Sequence, residues 1–128
     1  MKVSALFVLL ILPLLLCSVT REVSLDGTHQ YTSIQTAVNA SLTGDIVLVH
    51  PGRYIENINL NGHSVTITSL YSQTLLQTHI DNTIIDGNLL TTFTIISGEA
   101  TTINGFTITN NEQNLNVDSH INGGGFQI

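Results

Sequence analysis

The chain has 128 residues, room for one small domain or for one end of a larger repeating one. Three lysines and arginines stand against nine acidic residues, so no basic surface exists to hold a phosphate backbone through counterion release, and nucleic-acid binding is excluded. Apolar residues make up 42% and charged residues only 9%, the reverse of a disordered composition, so the polypeptide is expected to fold.

At the amino end, Lys2 is followed by an uncharged, strongly apolar run over residues 3–17, with Pro13 near its close and the small residues Ser18 and Thr20 after it. A spanning helix needs roughly 20 apolar residues; this shorter run reads as a signal peptide covering residues 1–20. Leu14, Leu15 and Leu16 precede Cys17, where a lipidated cysteine would follow a small residue, so a lipoprotein anchor is disfavoured. Cleavage would remove Lys2 and Cys17 and leave Arg21 and Arg53 with nine carboxylates. The predicted product is a secreted or cell-surface domain with no membrane span and no disulfide, held by core burial alone.

Residues 21–44 are predicted to form an amino-terminal arm and a capping helix. Asp26-Gly27-Thr28 is a turn. The helix is expected over residues 33–42, with Ile34, Ala37, Val38 and Ser41/Leu42 on one face and Gln35, Thr36 and Asn39 pointing away. Thr43-Gly44 ends it, and beyond Gly44 the pattern is read as strands throughout: Ile46 to Val49, stopped by Pro51-Gly52, then segments around Ile58, Ile67, Ile84, Phe93 and Ile108. Apolar residues alternate with Thr or Asn, giving each strand one hydrophobic face and one of hydroxyls and amides.

Val49, Thr68, Ile85 and Ile108 fall 19, 17 and 23 residues apart, and a period near twenty suggests a solenoid with Val65, Ile67, Phe93, Ile95, Phe106 and Ile108 pointing inwards. Asn61-Gly62 and Asp86-Gly87 are equally the local signature of two-residue hairpins, and on that signal an antiparallel sandwich or meander is the alternative, with residues 58–65 as one hairpin.

Residues 31–38, with Tyr31, Ile34, Gln35 and Ala37, followed by Gly44-Asp45, Val47, Val49, Pro51-Gly52, Tyr54, Glu56 and Ile58, resemble the opening of pectin-lyase-like right-handed parallel β-helix proteins. Thr83 to Asn88, Gly105 to Asn111 and Gly123-Gly124-Gly125 are similar to the repeats that follow in those proteins. The resemblance implies an all-β, right-handed parallel β-helix with a capping helix, its first rungs over residues 45–128. It implies an exported, often surface-attached protein of a family that includes polysaccharide lyases and hydrolases and many members without demonstrated chemistry. The chain stops at Gln127-Ile128 in mid-rung with no cap before it, so a fragment of a longer solenoid is expected, whose exposed last rung would meet further chain or an end-on partner.

For chemistry, Asp45 between helix and strand reads as a turn-fixing acceptor of backbone N–H groups. Arg53 is expected either to pair with Glu56, three residues on, or to carry a solvated side chain. Asp81, Asp86, Glu99 and Asp118 are the carboxylates from which stacked strands could assemble an oxygen-ligand site; Asp81 and Asp86 are the candidates, and calcium is the ion, although no compact acidic loop motif supports one. His29, His50, His63, His79 and His120 are scattered and read as surface histidines, since zinc needs three or four convergent ligands. No catalytic or cofactor-binding residue is assigned.

The function expected is a non-catalytic module whose Thr- and Asn-rich face binds polysaccharide or other surface components. The alternative is a polysaccharide lyase or glycoside hydrolase with its active groove beyond residue 128.

Overall fold

The computed structural model describes residues 17–96 and 100–111. In chain order the elements are β1 (Thr20–Val23), α1 (Ile34–Ala40), β2 (Ile46–Val49), β3 (Gly52–Ile55), β4 (Ile58–Asn59), β5 (Thr66–Ser69), α2 (Tyr71–Thr74), α3 (Gln77–Asn82), β6 (Thr83–Leu90), β7 (Phe93–Thr94), β8 (Thr102–Asn104) and β9 (Thr107–Asn111). The strands form three sheets, ordered β1-β2-β5-β8, β3-β6-β9 and β4-β7, and neighbours in every one of them run parallel.

Parallel register stacks like residues. Val47 faces Ile67, which faces Ile103, and all three are buried. They join Ile58, Tyr54 and Ile85 from the other two sheets, and Leu60 just past β4, in one core. Each aliphatic side chain withdrawn from water there contributes roughly 1.5–3 kcal/mol before the entropy of ordering is subtracted. Val65, Ile67 and Phe106 are buried as expected, while Phe93, Ile95 and Ile108 are partly buried and packed against the same cluster.

Helix α1 covers one side of that core with Ile34, Ala37 and Val38, the three- and four-residue spacing anticipated from the sequence. Ser33 is its N-cap, in extended backbone, and its Oγ accepts from the Thr36 N–H at 3.3 Å. Glu56, just past β3, completes the cap: its carboxylate accepts from Ile34 N at 3.0 Å, Gln35 N at 2.9 Å and Ser33 Oγ at 3.1 Å. At the other end Ser41 Oγ donates to the Ala37 carbonyl at 2.7 Å.

The all-β expectation is corrected. Three helices with three separate short parallel sheets give a mixed α/β architecture in place of the right-handed parallel β-helix predicted, and residues 33–42 are not its only helical segment. The misreading lies at residues 71–82, where α2 and α3 interrupt the strands. Their sequence, with Ser, Gln and Leu and no run of β-branched residues, has little strand preference, and the backbone closes helical turns such as Leu75 N to Tyr71 O at 2.8 Å. Strands β1, β3 and β8 were also missed; each is at most four residues long, too short to display an alternating pattern.

The hairpin alternative is overturned as well. Asn61 and Gly62 both take left-handed backbone, with φ 49° and 85°, as a tight turn requires. Yet β4 before the turn pairs with β7, and β5 after it pairs with β2 and β8. At Gly105, φ is 83° and an added Cβ would press into the Ser69 side chain, so a second tight turn depends on glycine there.

Candidate functional site

On the outer face of the four-stranded sheet, register aligns Thr20, Ile46, Thr66 and Thr102 in one row. Thr20 and Thr102 are exposed and Thr66 is half-buried. Among the described residues their hydroxyls make no intramolecular hydrogen bond. Other polar residues of the alternating strands are committed to the fold. Thr68 and Thr83 are buried, Thr83 Oγ1 donating to the His79 carbonyl at 2.6 Å, and Thr107 Oγ1 donates to the Ile80 carbonyl at 2.9 Å. Asn57 Nδ2 donates to the Gly87 and Thr91 carbonyls, each at 2.9 Å. The free polar face is therefore narrower than alternation alone predicts.

The carboxylates are similarly engaged. Asp45 is buried and accepts from Leu42 N and Val19 N, both at 2.9 Å, and from Arg21 Nη2 at 3.1 Å. This is the turn-fixing part anticipated for it, extended by a pairing with Arg21. Those backbone N–H groups first, and Arg21 second, hold its carboxyl below the usual range against the opposing effect of burial.

Arg53 does not pair with Glu56, which is occupied at the cap of α1. It reaches across to β6, where its Nε donates to Asp86 Oδ2 at 3.1 Å and its Nη2 to the same oxygen. Asp86 is buried; it accepts from Asn88 N at 2.9 Å and from Asn110 Nδ2, 3.1 Å from each oxygen. The Asn88 N–H foremost, then Arg53, lower its pKa. Of the two calcium candidates, Asp86 thus already holds donors on both oxygens, and Asp81 is exposed on α3, its Oδ1 accepting from Gln77 Nε2 at 3.1 Å. Glu99, Asp118 and His120, like residues 1–16 of the predicted leader and the Gly123-Gly124-Gly125 run, lie outside the described residues.

Two histidines do converge. Glu22 Oε2 lies 2.8 Å from His50 Nε2 and 3.1 Å from His29 Nε2, and the two imidazoles stack with centroids 3.8 Å apart and planes 22° from parallel. Strand pairing explains the meeting. Register sets Val23 opposite Val49, which puts Glu22 and His50 to either side of that pair. The loop after Val23 returns to form a bridge between Val23 and Tyr31, closed by Ser24 N to Tyr31 O at 2.9 Å and Tyr31 N to Glu22 O at 3.1 Å, and this carries His29 over the same spot. His50 is fixed by its own N–H to the Val23 carbonyl, 2.9 Å, and by the Tyr54 hydroxyl donating to the His50 carbonyl at 2.9 Å. Sequence reasoning missed this group because its members are 7 and 21 residues apart and only the register of β1 against β2 joins them.

Comparison with family models, curated proteins and solved structures finds no match for this chain. Among the described residues, no helix is long and apolar enough to cross a membrane.

Proposed function

We propose that this chain works outside the cell as a non-catalytic module that binds polysaccharide or other cell-surface components through the outer face of its four-stranded sheet. The observation that carries the reading is the pair Thr66 and Thr102, register partners on adjacent parallel strands about 4.8 Å apart, whose hydroxyls make no hydrogen bond among the described residues; Thr20 is set apart from them by Ile46 and falls within the predicted leader. Such a pair offers donors and acceptors one strand spacing apart to a chain of sugar hydroxyls. Export is supported by the apolar run behind Lys2. The non-catalytic part is supported by the carboxylates of Asp45, Glu56 and Asp86, each held by backbone or side-chain donors of the fold.

A net charge of −6 favours neutral over acidic glycans, and the absence of tryptophan leaves little aromatic stacking, so single contacts are weak. Affinity electrophoresis through gels of neutral polysaccharides tests the reading. The chain is expected to be retarded by at least one of them, and the combined Thr66→Val, Thr102→Val variant to lose about tenfold in apparent affinity, two modest hydrogen bonds being removed. Valine keeps the strand preference, so circular dichroism should not change. Equal retardation of the variant, or none of the native chain in any gel, contradicts the proposal.

A further inference from the structure

We propose that Glu22, His29 and His50 form a binding site for a divalent transition-metal ion of the zinc class. The inference stands apart from glycan binding, since none of the three side chains belongs to the threonine pair. One ligand atom from each lies within 4.8 Å of the other two. Ligands about 2.0–2.1 Å from a shared tetrahedral ion are themselves roughly 3.4 Å apart; Glu22 Oε2 lies 2.8 Å and 3.1 Å from the two imidazole nitrogens, so binding requires the group to open slightly and the stacked rings to turn their lone pairs onto one ion. Two imidazoles and one carboxylate are a donor set suited to zinc and its transition-metal neighbours, and unsuited to calcium, which takes six to eight oxygens.

The hydrogen-bond network around His29 assigns its tautomer. Thr28 Oγ1 donates its one proton to Asp26 Oδ1 at 2.7 Å, and Thr28 N donates to the same oxygen at 3.0 Å. The hydroxyl oxygen, also 3.2 Å from Ser24 Oγ, must then accept the His29 Nδ1–H at 3.0 Å. That leaves Nε2 as the ligating nitrogen of a neutral ring. A carboxylate behind a hydroxyl behind an imidazole is the outer support that metal-bound histidines use.

With Nδ1 carrying the proton, the lone pair of His29 Nε2 faces the lone pairs of Glu22 Oε2 at 3.1 Å. Two acceptors at that distance repel unless a positive charge sits between them. One divalent cation satisfies all three side chains without that repulsion. The side chains are 42% (Glu22), 31% (His29) and 21% (His50) exposed, so the ion would keep at least one position open to solvent.

Isothermal titration of the full chain with zinc chloride, after dialysis against chelator, tests the site. One zinc per chain is expected, and cobalt in its place should give the visible absorption of tetrahedral coordination. His29→Ala, His50→Ala and Glu22→Gln should each weaken binding at least tenfold, while His63→Ala and His79→Ala leave it unchanged. Thr28→Val keeps the side-chain shape but removes the support of His29, and should weaken zinc about tenfold. Glu22→Gln and Thr28→Val are the mildest changes and serve if a histidine variant does not fold. No zinc uptake by the native chain, native affinity in Glu22→Gln and Thr28→Val, or equal binding of calcium overturns the proposal.

Discussion

At the residue scale, a carboxylate can be placed from sequence when its partners are local and not when they come from another strand. Asp45 was legible because a strand starting straight after Thr43-Gly44 leaves unpaired N–H groups that a nearby acid can accept. Of the two readings of Arg53, the pairing with Glu56 fails because nearness in sequence suggested it, while the true partner, Asp86, is brought near by the pairing of β3 with β6, which sets Ile55 opposite it. Glu22, His29 and His50 were not legible at all, for the same reason. Acid titration follows from the two buried acids. Folding lowers the pKa values of Asp45 and Asp86 below the ordinary carboxylate range, so the stability they confer is complete above that range. It is lost as pH falls through their depressed values. Urea midpoints should therefore be flat above pH ~5 and fall steeply below pH ~4, with Asp45→Asn lowering the midpoint at neutral pH and flattening the acid limb. An Asp45→Asn variant with the native acid limb and native neutral midpoint would contradict this.

At the element scale, α1 was legible because Ile34, Ala37 and Val38 mark a face, Ser33 marks a start and Gly44 a stop. What the sequence concealed is that the cap is shared with Glu56, twenty-odd residues on, which makes a seven-residue helix depend on the end of β3. So short a helix is marginal by itself. Glu56→Ala is expected to cost about 2–3 kcal/mol by urea unfolding, since two helix N–H groups lose a charged acceptor, whereas Ser33→Ala should cost about 1 kcal/mol. A Glu56→Ala loss no larger than that of Ser33→Ala would show the carboxylate to be incidental. Helices α2 and α3 escaped notice because neither offers a side-chain cap and each has at most one buried residue, so no amphipathic period announces them.

At the scale of the whole molecule, the recurrence near twenty residues was real in places and misleading in others. Ile46 and Thr66 are register partners 20 residues apart, and Ile85 and Ile108 are partners 23 apart. Thr68 and Ile85, however, belong to different sheets, and the next partner of Thr66 is Thr102, 36 residues on, because α2, α3 and two strands of other sheets intervene. Helical insertions of this kind break a period without breaking the pairing, and they turn an all-β expectation into a mixed α/β molecule. The in-register parallel pairing is what sets Thr66 beside Thr102 and what joins Glu22 to His50, so both functional readings rest on it.

Oxidative cross-linking in a Cys17→Ser background tests that pairing most directly. Parallel partners about 4.8 Å apart lie within disulfide reach, whereas a shift of two residues takes the pair beyond about 7 Å. Thr66→Cys with Thr102→Cys should form an intramolecular disulfide detectable by peptide mass mapping, and Thr66→Cys with Asn104→Cys should stay reduced. A bond in the second pair but not the first, or only between chains, would contradict the account.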